Sequence, residues 1–411
     1  MSALKAELVA LIRDEGPLPI SRYMALCLGH PRHGYYMTRD PFGPRGDFTT
    51  APEISQIFGE LIGLWAAQVW QAMGAPRAVR LVELGPGRGT LMTDMLRAAK
   101  VVPGFREALS VHLVETSPAL RHSQARALAG KAEPVWHDRI ETALDGPVIV
   151  VANEFLDALP LDQFVMTEQG WRERLVGLNE EGGLAFGVAR EALTTPSPLA
   201  GEGWGEGSGR AVNAGWLKTS DGDGQRDPSS VSASPSHLLP QGEKGSALVG
   251  TIFEQPHAAL DIVSSVATHI AREGGAAVFI DYGSARSGFG DTLQAMHRHA
   301  FVDPLADPGE ADLTVHVDFA RIGQAGLDAG AACHGPATQR DFLLALGLAE
   351  RAQALSAKAT PEQAASITAA TARLIEPTPT GMGHLFKVLA LSHPGLPPLP
   401  GFDLHRLPEQ G

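Results

Sequence analysis

Apolar residues follow two rhythms along this chain, and the switches between them lay out the elements. Val79, Leu81, Val82 and Leu84 form a short run with β-branched members, which reads as a strand buried on both faces. Similar runs recur at 109–114, 148–152, 276–280 and 386–391, with a shorter one at Val135-Trp-His-Asp138. Helical spacing returns between them. It carries Leu4, Leu8, Leu11 and Ile12 over 3–14, and Ile57, Leu61, Leu64, Trp65 and Val69 over 54–73. It also carries Leu91, Met95 and Leu96 after Thr90, a residue that can cap that helix. Ser21 is read as the cap of a helix over 22–28, and Ser117-Pro118 opens one through Arg121, Gln124 and Leu128. Later helices are expected at 256–273, 320–327, 342–348, 349–358 and 361–375. Residues 163–187 alternate apolar and polar positions, and Glu181-Gly-Gly183 supplies the turn of a hairpin. Strands alternating with helices predict an α/β protein built on a parallel sheet.

Both rhythms stop at about 192–246, where Gly, Ser, Pro and charge dominate, as in Gly201-Glu-Gly-Trp-Gly-Glu-Gly207. That composition reads as a disordered insertion at a surface hairpin. The full length of 411 residues suits one elaborated domain or two. A net charge of −13 argues against nucleic acid or an anionic membrane surface as partner. Cys27 and Cys333 are the two cysteines, so neither a disulfide framework nor a thiolate metal site is expected. No apolar run reaches the roughly 20 residues that span a bilayer. Glu7 and Asp14 stand in the first helix against a transit-peptide reading. A reducing, cytoplasmic setting is the expectation. His30 with His33, and His297, His299 and His316 with Asp318, lack convincing ligand spacing. No metal is expected.

Three glycines at alternate positions, Gly85, Gly87 and Gly89, join the first buried strand to its helix, and Glu83 stands two positions before them. A strand, a glycine turn and a helix N-terminus bring backbone N–H groups to a ligand. The G-x-G-x-G spacing differs from the G-x-G-x-x-G of dinucleotide folds. Glu115 ends the second strand, 26 residues after Gly89, where an acid can accept bonds from two ribose hydroxyls. Trp136 and Asp138 end the third strand, near the place of an adenine. Asn153-Glu154 ends the strand over 148–152, at the edge where open α/β sheets place ligands, with Asp157 just beyond. Helix capping is the structural alternative for Asn153-Glu154. Asp281 ends a further strand.

The glycine turn with its preceding acid resembles motif I of class I methyltransferases. The wider pattern resembles the MidA-like methyltransferases, related to a mitochondrial assembly factor of respiratory complex I. The matching segments are Gly34-Tyr-Tyr36, Gly46-Asp-Phe-Thr-Thr-Ala-Pro-Glu-Ile-Ser55, Phe58-Gly-Glu60 and Glu83-Leu-Gly-Pro-Gly-Arg-Gly-Thr90. They continue with Val114-Glu-Thr-Ser-Pro118, Ala152-Asn-Glu-Phe-Leu-Asp-Ala-Leu-Pro160, Ile280-Asp-Tyr-Gly283 and Gly290-Asp-Thr-Leu-Gln-Ala295. Val315-His-Val-Asp-Phe319 and Met382-Gly-His-Leu-Phe-Lys387 close the series. The insertion is foreign to the family pattern, and Ala51 stands where serine is commoner.

The resemblance implies a class I methyltransferase fold: a Rossmann-like, seven-stranded α/β sheet with added helices. It implies S-adenosylmethionine as cofactor, held by Thr50, Glu83, Gly85, Pro86, Gly87, Gly89, Thr90, Glu115, Thr116, Ser117, Asp138 and Asn153. Glu154, then Asp157 and Asp281, are the carboxylates expected to orient an arginine guanidinium of a protein substrate, a complex I subunit in the mitochondrial relatives. The expected division is a helical extension at 1–45, the core at 46–191 and 247–394 around the insertion, and a surface tail at 395–411. Two rival readings are a non-catalytic assembly chaperone on the same fold and a nucleotide-dependent oxidoreductase.

Overall fold

A computed structural model of the chain describes residues 2–38, 49–193, 216–218 and 247–402. The run at 79–84 becomes β1 (Val79–Leu84), five of its six residues buried. It pairs in parallel with β2 (Leu109–Val114), which pairs in turn with β3 (Val135–His137). On its other side β1 pairs in parallel with β4 (Val148–Asn153), every residue of which is buried. The sheet continues through β5 (Gly275–Ser284) and β7 (Phe386–Ser392) to β6 (Ala332–Thr338). The seven-strand path is therefore β3-β2-β1-β4-β5-β7-β6, with β7 antiparallel to both neighbours. A two-residue strand, Val317–Asp318, adds to the end of β5 as an eighth member. The strand order reverses between β1 and β4, which makes their carboxyl ends the topological switch point where such sheets take ligands.

The expected helix over 54–73 begins two residues later, at Gln56. Residues Ala51–Ile54 make one turn (α1), and Ser55 is extended and caps α2 (Gln56–Ala72) with its hydroxyl, which accepts from the Ile57 N–H. Ser21, by contrast, does not cap its helix. The helix is Ile20–Gly29, and Pro19 holds the cap position without a side-chain bond. α2 packs on α3 (Thr90–Ala99), and Trp65, Leu61, Leu91 and Met95 join Leu81, Ile149 and Val278 in one core cluster. Gly59 and Gly63 let the two helices approach: a Cβ on Gly63 would stand 2.6 Å from the Met95 carbonyl oxygen. Of the expected surface tail, residues 399–402 turn inward, and 403–411 lie outside the described residues. Leu399 is buried, and the Phe402 ring lies 5.3 Å from that of Phe342, because this stretch supplies the apolar cover that the helix at Gln339–Ala345 needs.

The chain divides into two compact units. The sheet just described belongs to the unit formed by Asp40–Asp157, Ala259–Ser287 and His316–Gly411. The other comprises Met1–Arg39, Ala158–Ala258 and Gly288–Val315. Its main sheet runs in the order Ile252–Gln255, Asp162–Thr167, Gly170–Leu178, Leu184–Ala189 and Trp216–Lys218. Thus the expected hairpin over 163–187 is a three-stranded meander. Phe164, Trp171 and Phe253 form its own small core. Apart from the Trp216–Lys218 strand, the insertion expected at 192–246 lies outside the described residues beyond 193.

Candidate active site

The glycine turn leaves β1 with positive φ at all three glycines: +59° at Gly85, +50° at Gly87 and +83° at Gly89. L residues with a side chain rarely adopt that region. Gly85 donates to the Val114 carbonyl at 3.1 Å, which ties the turn to the end of β2. A Cβ on Gly85 would also stand 2.8 Å from the Phe155 ring. Gly89, not Thr90, is the N-cap of α3. A left-handed glycine ends the turn one residue earlier than the capping pattern suggests, and this releases the Thr90 hydroxyl to donate to Glu53 Oε1 at 2.6 Å. Glu53 was not among the expected site residues. Thr50-x-x-Glu53 has the spacing of a capping box, yet Thr50 makes no cap bond and Glu53 reaches the glycine loop instead.

Each neighbouring strand end adds its residue. After β2, the buried Glu115 accepts from the Ser117 N–H at 2.7 Å and from Gln124 Nε2 at 3.2 Å. Burial pushes its carboxyl up, against the pull of those donors. Ser117 caps the helix α4 (Pro118–Leu128), while Thr116 is exposed. After β3, the exposed Asp138 pairs with Arg121 at 2.6 Å. After β4, Asn153 donates to Glu154 Oε1 at 3.1 Å, and the Ala51 N–H donates to the same oxygen at 2.9 Å. The helix turn that carries Thr50 and Glu53 is thus joined both to Glu154 and to the glycine loop.

Glu154 holds φ +51°, a strained conformation of the kind that clusters at functional sites. Burial pushes its carboxyl up to about 7; the Ala51 N–H opposes this and the Asp157 carboxylate adds to it. Asp281 is buried, and its Oδ2 accepts from the N–H groups of Phe155, Leu156 and Asp157 at 2.9–3.2 Å. Its Oδ1 accepts from the Tyr282 N–H at 2.9 Å. The Asp281 carboxylate therefore shapes the turn that follows Glu154, and burial, Asp157 and Glu154 together raise its pKa.

The arrangement fits a polar cofactor on one direct observation. Glu83 Oε2 and Asn153 Oδ1, on β1 and β4, are buried and have no hydrogen-bond partner among the described residues. A buried polar atom left unpaired costs roughly 1–3 kcal/mol, so two of them beside the switch point favour a ligand that pairs them. Burial alone pushes Glu83 up to about 8, with the Met92 N–H opposing. Among the described residues no group of three or more His, Cys, Asp or Glu side chains could hold a metal ion.

Residues 61–337 match the family described as "Putative S-adenosyl-L-methionine-dependent methyltransferase". This chain belongs to that family. The methyltransferase is 35% identical to the Drosophila melanogaster protein named "Protein arginine methyltransferase NDUFAF7 homolog, mitochondrial", over 95% of this chain and 84% of that one. Its identity to the Homo sapiens protein named "Protein arginine methyltransferase NDUFAF7, mitochondrial" is 32%, over 84% and 73%. In fold it resembles a Burkholderia thailandensis protein solved with S-adenosyl-homocysteine bound. The TM-score is 0.72, the identity 29%, and the match covers 98% of this chain and 94% of that one. S-adenosylmethionine is thus the methyltransferase's cofactor, and the oxidoreductase reading falls. The cytoplasmic expectation is overturned as well, since the relatives are named mitochondrial. Cysteine usage and an acidic first helix report redox setting and charge, and neither encodes an address.

Proposed function

We propose that this methyltransferase acts on the guanidinium of an arginine in a protein partner, an arginine-bearing segment of a respiratory complex I subunit. The names of the relatives support the acceptor type. One observation within the fold carries the reading: Glu154 and Asp157 follow β4, Asp281 lies near the end of β5, and the glycine loop is one strand away. When bound, the cofactor supplies a sulfonium-activated methyl group. The protein's task is then alignment and charge. A guanidinium is always protonated, and a carboxylate offsets its charge and fixes its orientation. Glu154 is assigned this role first, with Asp157 beside it and Asp281 holding the turn. Methylation leaves one excess proton on the guanidinium nitrogen. A carboxyl poised near neutrality can accept it at Glu154. Glu83, the glycine loop with Pro86, Thr50 and Thr90, and Asn153 are assigned to the cofactor; Glu115 is assigned to its ribose and Asp138 to its base.

Glu154→Gln tests this. The amide keeps the shape and still accepts from Ala51, but the charge is gone. Transfer of labelled methyl groups to protein, in a lysate from cells lacking the enzyme, should fall on the order of a hundredfold while cofactor affinity is kept. Glu115→Gln should instead weaken the cofactor and spare the rate at saturation. A normal rate in Glu154→Gln would reduce Glu154 to the anchor of the Ala51 N–H.

A further inference from the structure

Gln124 is a fully buried amide in the middle of α4, flanked by Leu120 and Leu128 one turn away on either side. Its three hydrogen bonds go to three separate walls of the cofactor site. Nε2 donates to the Gly87 carbonyl at 2.8 Å and to Glu115 Oε2 at 3.2 Å. Oε1 accepts from Trp136 Nε1 on β3 at 2.8 Å. The partners fix which amide atom is which, because an indole N–H can only donate and a carbonyl and a carboxylate accept here. Both N–H groups of the amide are engaged. The close packing adds to this: a Cβ on Gly89 would stand 3.4 Å from the Gln124 Cα.

A carboxylate offers about four acceptor positions. Glu115 commits one on Oε1 to the Ser117 N–H and one on Oε2 to Gln124. Arg121, the nearest cation, donates to the Glu115 backbone carbonyl and to Asp138 rather than to the carboxylate. The Thr116 N–H donates to it as well, so the carboxylate is held from both sides with acceptor capacity left for a ribose hydroxyl. We propose that Gln124 is a positioning residue for the cofactor: it locks the Glu115 carboxylate in register with the Gly87 peptide, so that the ribose meets a preset acceptor. This rests on the assignment of Glu115 to the ribose.

The test is calorimetry with S-adenosylhomocysteine and its 2′-deoxyribose analogue, on the wild type, Gln124→Leu and Trp136→Phe. The wild type should prefer the ribose form by about tenfold or more, the worth of one bond to a charged acceptor. Gln124→Leu should cut that preference to roughly threefold or less, losing more on the ribose ligand than on the analogue. Trp136→Phe frees only the Oε1 end and should give an intermediate preference; it carries the test if the leucine variant does not fold. A second readout is the pH profile of binding. Glu115 is faced by the Thr116 and Ser117 N–H groups and by Arg121 and Gln124 of α4. Removing the Gln124 donor removes one contact that favours the ionised acid, so affinity should begin to fall at a higher pH than in the wild type. An equal loss on both ligands, with an unmoved pH profile, would make Gln124 a packing amide and overturn the proposal. A wild type that does not discriminate the two ligands would sink the Glu115 assignment first, and the proposal with it.

Discussion

Glu154 combines a left-handed backbone with a carboxyl pushed up to about 7, and the two features predict how the reaction responds to pH. Below that value the group is protonated and can neither offset a guanidinium nor accept its proton. The rate at saturating substrate should therefore rise with pH through a limb centred near 7, and Glu154→Gln should lack that limb. A wild-type profile flat from pH 6 to 8 would exclude Glu154 as the titrating group. Gly87, at φ +50°, gives a second test. Gly87→Val forces a β-branched residue into a region it avoids, and S-adenosylhomocysteine binding should be lost while the far-ultraviolet dichroism is kept. Unchanged affinity would count against the loop. The loop, Glu115 and Asn153-Glu154 were legible in sequence because strand ends and glycine spacing locate them on one edge. Glu53 and Gln124 were not. Glu53 has the spacing of a cap, and Gln124 is a lone amide in a leucine stripe; their partners, Thr90 and Gly87, lie 37 positions away in each case.

At the scale of elements, strands were read more faithfully than helix ends. β1, β2, β4 and β7 fall within a residue of their apolar runs because burial on both faces leaves no alternative pattern. Helix ends depend on which residue takes the cap, so Ser55 starts one helix two residues later than expected and Pro19 displaces Ser21 at another. The α1 turn shows why such details matter. It is held by the Ala51 N–H on Glu154 and by Glu53 on Thr90. Thr90→Val removes the second bond and should cost about 1–2 kcal/mol. Cofactor affinity should fall several-fold, read by calorimetry; full affinity would show that α1 is held by Glu154 alone. The α2–α3 contact makes an opposite demand. Gly63→Ala improves helix propensity by about 1 kcal/mol. The added Cβ would meet the Met95 backbone at 2.6 Å, and overpacking costs about 1–3 kcal/mol. The backbone cannot rotate away as a side chain would, so the clash wins and the urea midpoint should fall. A higher midpoint would mean that the helices separate freely.

Across the whole molecule, buried acids set the pH dependence of stability. Burial pushes Glu83 up to about 8, Glu154, Glu173 and Glu254 to about 7, and Asp94 to about 6. In the unfolded chain these groups ionise near the ordinary carboxylate value. Between that value and 6–8 the folded state therefore binds more protons, and stability falls as pH rises. Wholly or partly buried histidines act in the opposite direction: His112 is lowered to about 4, and His137, His316 and His334 are lowered as well, mainly by burial. Their contribution grows with pH but is complete near 6.5, the unfolded value. Above 6.5 the carboxyls act without that opposition, and Cys333 at about 11 and Cys27 at about 12 continue the same sign at higher pH. The melting temperature should therefore decline from pH 6.5 to 8.5. The decline should persist at high salt, because desolvation rather than surface charge is its cause. A melting temperature that is flat or rising from pH 6.5 to 8.5 would show that these carboxyls are already ionised in the folded protein. Glu83 separates the contributions: Glu83→Gln cannot ionise, so the decline should become shallower up to about pH 8, including between pH 7 and 8, where the other carboxyls contribute little.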